Sequence, residues 1–238
     1  MTLVTDILAR AARQCSVTPP SSWLTATSQT ALEVLDFLDM TVTDIRDRLD
    51  LVGPIGKTTT ITGDGGEDYD LPADFHRLQR DQLAVYEQYR TRRACVPVPA
   101  DGTWEYLQEL GTSGAYRFYR LQGYPGAWTM GFQRPLETDL TVIVNYVSTE
   151  WLVNSGTRKS EFTAAEDDCL LPRELIETGI VWRFRQRKAL EYRDVQSRYE
   201  TLIARLDNDS RTRRTVDFGP TPTRAPWDIP VPDVIPDA

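Results

Sequence analysis

The spacing of apolar residues changes twice along the chain, and this change constrains the fold more than any other feature. At both ends apolar side chains recur every three or four residues, which predicts amphipathic helices. The N-terminal part has two such stretches, and we expect the second to begin near Thr30 with Glu33 completing a capping box. The C-terminal part has two more, between Pro172 and Leu206.

Each predicted helix has an apolar face that no single neighbour in sequence can cover. We therefore expect residues 1–56 and 151–208 to pack together as a bundle of two N-terminal and two C-terminal helices. The helix after Pro172 is apolar on two sides, so we expect it to pack against more than one neighbour. Arg183 and Arg187 lie near one of its apolar lines, so both need acidic partners or a subunit surface.

Residues 57–150 switch to a period of two, which predicts β-strands. In Leu140–Tyr146 the even-numbered apolar residues share one face and Ile143 lies on the other. The run Gly63-Asp64-Gly65-Gly66 predicts a hairpin turn, and residues 103–110 predict one short helix. The expected fold class is α+β, with an inserted antiparallel β-sheet or sandwich domain over 57–150.

The segment 209–238 follows neither period and carries six prolines between positions 220 and 236. Proline donates no backbone hydrogen bond, so we expect an extended arm. The arm also holds apolar residues that a plain linker rarely carries. Its candidate partner-binding residues are Phe218, Trp227, Ile229, Val231, Val234 and Ile235. Trp227 is the expected anchor, because a buried tryptophan is a frequent hot spot at interfaces.

Charge and cysteine content limit the partners. The 238 residues include 27 basic and 35 acidic side chains, a net charge of −8, which argues against gripping nucleic acid with the whole surface. No apolar stretch is long enough for a membrane span, and the N-terminus does not resemble a signal peptide. Three widely spaced cysteines favour reduced thiols in an intracellular setting.

No group of residues predicts catalysis, a cofactor or a metal. Residues 53–58, Gly-Pro-Ile-Gly-Lys-Thr, end like a phosphate-binding loop but have Leu51 where its first glycine belongs, which favours a helix-to-strand loop. His76 is the only histidine, which argues against a zinc site or a histidine triad. The carboxylates of 166–168 favour a role at the positive end of the next helix over acid–base chemistry. The aromatic strand 116–120 favours core packing with solvated arginines over base stacking.

Three groups of residues follow one another in an informative order. They are the motif 69–75 (Tyr-Asp-Leu-Pro-Ala-Asp-Phe) with Arg77, the turns at 124–126 and 134–135 ahead of the 140–146 strand, and Leu171-Pro172 with the run 179–184 before the helix ending at Leu206. Together with the order of helices, β insertion, helix pair and arm, these residues resemble the head–tail adaptor (connector or neck) proteins of tailed bacteriophages. The resemblance covers roughly residues 1–208.

The resemblance implies a structural virion protein and not an enzyme, located at the neck of the particle and made in the host bacterial cytoplasm. Such adaptors form a ring, usually of twelve copies, beneath the portal protein. The ring extends the DNA channel used for genome ejection and offers a docking platform to the tail or stopper protein. An acidic channel wall would let double-stranded DNA pass without tight binding. Arg183 and Arg187 are then candidates for the subunit interface, and the arm for contact with the portal or an adjacent subunit.

Three alternatives stay open on the sequence alone. One is a tail-side structural component, such as a tail tubular or stopper protein, which would contact the portal indirectly or not at all. Another is a tail-associated cell-wall hydrolase, for which Glu166, Asp167 and Asp168 would be the candidate residues. The third is a soluble binding module whose β domain holds a carbohydrate or a peptide.

Overall fold

The structure is a computed structural model that describes residues 2–80, 83–88, 93–98, 101–109 and 116–212. Within these residues the helices are α1 (Val4–Gln14), α2 (Gln29–Arg48), α3 (Asp101–Glu109), α4 (Arg173–Arg187) and α5 (Arg193–Thr212). The strands are β1 (Thr2–Leu3), β2 (Gly56–Thr62), β3 (Asp68–Asp70), β4 (Phe75–Leu78), β5 (Val85–Glu87), β6 (Arg93–Ala94), β7 (Val96–Pro97), β8 (Phe118–Tyr124), β9 (Ala127–Phe132), β10 (Thr141–Ser148), β11 (Leu152–Asn154), β12 (Thr157–Lys159) and β13 (Asp168–Cys169). The fold class is α+β.

Helix α4 is the centre of the helical part, in contact with α1, α2 and α5. Its apolar residues on both sides, including Ile176, Ile180 and Phe184, are buried in one cluster with residues of the other three helices. The two apolar sides of α4 are therefore covered within a single chain. Helix α4 packs against more than one neighbouring helix, as its two apolar sides predicted.

The N-terminus of α2 is held by Ser28, whose Oγ accepts a hydrogen bond from the backbone N–H of Ala31 at 3.3 Å. The predicted start near Thr30 is confirmed, but the predicted capping box is wrong. Glu33 instead forms an ion pair with Lys188, whose Nζ lies 2.6 Å from Oε2. This contact ties the first half of α2 to the C-terminus of α4.

A small sheet accompanies the helices, in the order β1-β13-β11-β12. Cys169 of β13 lies opposite both Thr2 and Leu152, so the sheet links the N-terminal strand ahead of α1 to residues 152–169. Leu152, Cys169 and the adjacent Trp151 are buried in the same cluster as the helices. The sequence analysis missed this sheet because strands of two or three residues are too short to show a period.

The central segment forms two further sheets. One has the order β2-β10-β5-β6 with β4 also on β10, and the other has the order β3-β9-β8-β7. Both contribute to a second buried cluster that includes Val142 and Val144 of β10 and Phe132 of β9. The pairing β7–β8 is parallel, whereas the sequence predicted only antiparallel pairs. Whether 57–150 is a domain separate from 1–56 and 151–208 stays a prediction.

The run Gly63–Gly66 does not form a hairpin turn. It connects β2, which pairs with β10, to β3, which pairs with β9, so the chain passes here from one sheet to the other. Gly63 packs closely against the loop that contains Glu137. A Cβ on Gly63 would lie 2.2 Å from the carbonyl oxygen of Glu137. Glycine is required here for the approach of a neighbouring loop.

Two sequence-based boundaries change at the C-terminal end. Helix α5 runs to Thr212, so residues 209–212 of the predicted arm are helical. An i, i+4 ion pair between Arg205 and Asp209, at 4.0 Å, accompanies the added turn. The rest of the predicted arm lies outside the described residues.

Candidate assembly surfaces

Arg183 is buried where α2, α4 and α5 meet, and 8% of the residue is exposed to solvent. Its Nη1 donates to Thr41 Oγ1 and to the carbonyl oxygen of Gly179, both at 3.1 Å, and its Nη2 donates to Asp44 Oδ2 at 3.1 Å. Tyr199 is fully buried, and its hydroxyl donates to the same Asp44 oxygen at 2.7 Å. We call these five residues the arginine centre.

The arginine centre supplies within one chain the acidic partner that Arg183 requires. Its guanidinium carbon also lies 4.4 Å from the ring centroid of Trp182, a cation–π distance. Of the two possibilities that the sequence left for Arg183, an acidic partner or a subunit surface, the structure supplies the first, and a place for Arg183 at a subunit interface stays a prediction. Arg187 is exposed near the end of α4, and its place at an interface stays a prediction.

The motif 69–75 lies within the β part and runs from β3 to the start of β4. Asp74 is the hub of its contacts: Oδ2 accepts from Lys57 Nζ and Ser148 Oγ, each at 2.6 Å, and Oδ1 accepts from the Tyr146 hydroxyl at 3.1 Å. Lys57 also binds Glu150 at 2.5 Å. Burial raises the pKa of Asp74, but the hydrogen bonds from Lys57 and Ser148 outweigh it and leave that pKa below its usual value.

Arg77, just after the motif, binds the C-terminal end of α2. Its Nε and Nη2 donate to the carbonyl oxygens of Arg46 and Leu49, each at 3.0 Å, and its Nη1 donates to Asp50 Oδ1 at 2.6 Å. The last carbonyl groups of a helix have no partner within the helix, so a cation is well placed there. Arg77 thus fixes β4 to the end of α2.

The sequence suggested that the carboxylates at 166–168 complement the start of α4, but Asp167 instead binds its own loop. Asp167 is fully buried, and its oxygens accept from the backbone N–H groups of Thr163 and Ala164, each at 3.0 Å, and from Lys159 Nζ at 2.8 Å. Burial opposes ionisation, but Lys159 and the other donors outweigh it and lower the pKa of Asp167 to about 2. Asp167 thus stabilises its own loop as a permanent anion and is poorly suited to general acid chemistry.

A buried ion pair in the β sheets also departs from the sequence analysis. Arg117, interpreted as solvated, is 8% exposed, and its Nε lies 2.6 Å from Oε1 of Glu87. Its Nη1 donates to the carbonyl oxygens of Arg134 and Pro135. The start of the aromatic strand is therefore held in place by the buried, paired guanidinium of Arg117.

The three cysteines are free and buried. Burial raises the pKa of the thiols of Cys15, Cys95 and Cys169, to about 11, 12 and 12 respectively. His76 is half-buried, and its Nε2 lies 2.7 Å from Asp47 Oδ1. Over the described ranges, no cluster of His, Cys, Asp or Glu has the geometry of a metal site, and no helix is long and apolar enough to cross a membrane.

Strand β2 has one open edge. The bonds from Gly63 N–H to Leu140 O and from Ser148 N–H to Ile55 O fix the odd-numbered positions of β2 as those that face β10. The N–H and C=O groups of the even positions Thr58, Thr60 and Thr62 therefore point away from β10. All three side chains are exposed, and no described strand pairs with this edge.

An apolar cleft of about 300 Å³ lies between α2 and the segment from Trp151 to Phe162. Its lining is mostly apolar and includes Trp23, Leu24 and Leu35. Leu24 is 43% exposed. The cleft is thus accessible from solvent.

A sequence model described as the SU10 adaptor protein matches residues 1–226, nearly the whole chain. The chain belongs to the SU10 adaptor protein family. The resemblance to phage head–tail adaptors noted from the motifs is thereby confirmed. Membership makes the chain a phage adaptor, a structural protein of the virion at the head–tail junction that associates with portal and tail. No curated protein matches the adaptor.

In the adaptor, the motif 69–75 ties strands of the β part to one another, and Arg77 just after it binds the end of α2. Sequence reasoning found the motif but missed the Asp74 partners Lys57 and Ser148, which lie 17 and 74 positions away in sequence. It also missed Asp44 and Tyr199 of the arginine centre. The one available signal was a glycine, Gly179, inside an otherwise helical pattern. The six partner-binding candidates from Phe218 to Ile235 lie outside the described residues.

Proposed function

We propose that this adaptor forms a ring beneath the portal of a tailed phage, where it extends the DNA channel and carries the tail or stopper protein. The observation that carries the proposal is the family match over residues 1–226. The proposed ring has twelve copies, and its subunits are made in the host cytoplasm. We infer a purely structural role with no enzymatic activity, because the buried carboxylate Asp167 is held as an anion by its loop.

A ring subunit must keep its shape while it is loaded from both sides. The contacts of Arg77 support this role, because they join β4 to the end of α2 through an ion pair and helix-end hydrogen bonds. Asp74 adds to it by joining β2 to β10. The arginine centre likewise joins the helices α2, α4 and α5 through hydrogen bonds and an ion pair. Both groups are satisfied within the protomer, so a subunit can fold before it meets the ring.

The second part of the proposal concerns the arm after Thr212. We assign it the role of an anchor on the portal or on an adjacent subunit, with Phe218, Trp227, Ile229, Val231, Val234 and Ile235 as its contact residues. A proline-rich segment loses little backbone freedom when it is ordered on a surface. Truncation after Thr212 preserves α5 and is the test. Full occupancy of portal complexes by the truncated chain would contradict the anchor.

The third part concerns DNA. Residues 173–214 carry 11 basic and 7 acidic side chains, so the rest of the chain has a net charge of −12. Helix α2 exposes Asp36, Asp39 and Asp47 along its length. We expect weak binding of duplex DNA by the isolated adaptor. Tight binding in a gel-shift assay at physiological salt, weakening steeply as salt rises, would contradict the acidic channel wall.

Electron microscopy of the adaptor mixed with the portal ring of its own phage tests the central proposal. The expected result is an added ring, coaxial with the portal and continuous with its channel. Density that appears only when a further neck protein is added would instead favour a tail-side component. Native mass spectrometry of the same complex gives the copy number.

A further inference from the structure

The positions of the prolines in the arm follow a regular pattern. Its six prolines, at 220, 222, 226, 230, 232 and 236, all occupy even-numbered positions. The odd-numbered positions from 221 to 237 keep their backbone N–H groups. In an extended strand the N–H and C=O of one residue point to the same side, and successive residues alternate. An extended arm therefore has one side with an unbroken row of donors and one side where the prolines fall.

Such a segment can pair along one edge only, with its proline side facing solvent. This is the arrangement in which sheets tolerate proline. The odd positions are also rich in strand-forming residues, among them Trp227, Ile229 and Val231. The sequence of the arm is thus suited to add one outermost strand to an existing sheet.

The described chain offers one long edge of the complementary kind. Strand β2 has seven residues, whereas the other outermost strands, β1, β3, β4, β6, β7 and β12, have two to four. The outward N–H and C=O groups of Thr58, Thr60 and Thr62 have exposed side chains beside them. An edge this long normally needs a cover, because its unpaired groups recruit other strands.

We propose that residues 225–237 of one adaptor subunit pair as an added strand with the open edge of β2 in the neighbouring subunit. The proposal rests on the proposed ring and names the contact that closes it. A ring needs two different, complementary surfaces on every copy of the chain, and the edge and the arm are such a pair. Backbone hydrogen bonds provide the pairing, and the odd-numbered side chains add apolar contact.

Two positions of the arm give a matched test. Val231→Pro removes an N–H that faces the edge, whereas Asp228→Pro removes one that faces solvent. Both substitutions lie outside the described core. Val231→Pro is expected to lower the occupancy of adaptor on portal rings at least tenfold in native mass spectrometry, and Asp228→Pro less than twofold. Equal occupancy for the two variants would overturn the proposal.

Thr60 tests the other side of the contact. Thr60→Pro removes an outward N–H without touching the bonds to β10, and Thr60→Val keeps the backbone group as a control. We expect only Thr60→Pro to lower occupancy, with the unfolding temperature of the isolated chain measured for both variants. Hydrogen exchange in the peptide covering 56–62 should slow on ring formation in the wild type and not in Val231→Pro. Unchanged exchange in the wild type would contradict the pairing.

A cross-link decides which copy supplies the arm. Chains carrying Thr60→Cys and chains carrying Val231→Cys are mixed on the portal and oxidised, and a covalent heterodimer is expected. A cross-link only within a doubly substituted chain would overturn the assignment to a neighbour. If rings form normally with Val231→Pro, this proposal fails while the proposed function stands. If the wild type forms no ring, the proposed function fails and the pairing fails with it.

Discussion

Gly179 of α4 packs closely against Thr41 of α2. A Cβ at this position would lie 2.3 Å from Thr41 Cγ2 and 3.0 Å from both Thr41 Oγ1 and Tyr199 Cε2. Thr41 is fully buried, so it cannot turn away without moving its helix. Overpacking costs about 1–3 kcal/mol, and the 2.3 Å contact with a buried side chain places this site at the upper end, about 2–3 kcal/mol. Alanine regains about 1 kcal/mol of helix propensity, so we expect Gly179→Ala to lower the free energy of unfolding by about 1–2 kcal/mol.

The measurement is urea unfolding followed by circular dichroism at 222 nm. Gly102→Ala is the matched control, because Gly102 also lies in a helix and a Cβ there meets no atom within 4 Å. It should leave the unfolding free energy unchanged or slightly raised. Thr41→Ser removes the clashing methyl group and keeps the hydroxyl that binds Arg183. The double variant Gly179→Ala/Thr41→Ser should therefore recover at least 1 kcal/mol relative to the sum of the single changes.

Two outcomes would refute this reasoning. The first is a Gly179→Ala variant at least as stable as the wild type, which would mean that helix propensity outweighs the close packing. The second is strict additivity in the double variant, since a clash relieved by removing its partner must appear as a coupling energy.

Three further outcomes are expected from the charged groups. Asp167→Asn should lower the free energy of unfolding by about 2 kcal/mol at pH 7. Because the folded pKa of Asp167, about 2, lies below the usual value of 3.8, this difference should shrink as the pH falls from about 4 to 2 in acid-unfolding curves. Arg183→Ala should cost about 3 kcal/mol in urea unfolding, because it leaves Asp44 and Thr41 without their buried partner; a loss below about 1 kcal/mol would contradict the arginine centre. Arg187→Ala should change stability by less than about 0.5 kcal/mol but weaken ring assembly on the portal; unchanged assembly would remove Arg187 from the interface.

Local patterns in the sequence predicted the elements well but not their partners. The alternation in β10 correctly placed Val142 and Val144 on a buried face, since a period of two follows from strand geometry alone. The turn at Gly63–Gly66 was also found, but turn chemistry does not reveal which strands pair on either side of it. The hairpin prediction failed for that reason.

The charged residues show the same limit more clearly. Arg117 and Glu87 are 30 positions apart, and Arg183 and Asp44 are 139 apart. No feature of the neighbouring sequence distinguishes a buried, paired arginine from a solvated one, because pairing depends on the tertiary fold. The motif 69–75 could be recognised as a resemblance, but its role in joining β2 to β10 became visible only from the contacts of Asp74.

The buried thiols have a consequence for the life of the particle outside the cell. Thiol–disulfide exchange proceeds through the thiolate, and at pH 8 a thiol with a pKa of about 11 is ionised in roughly one molecule in a thousand. The other two thiols, with pKa values of about 12, are ionised less still. After lysis releases virions into oxygenated surroundings, these cysteines should resist both disulfide scrambling and oxidation. The stability of the neck in free virions then depends on its non-covalent contacts and not on the redox state of the medium.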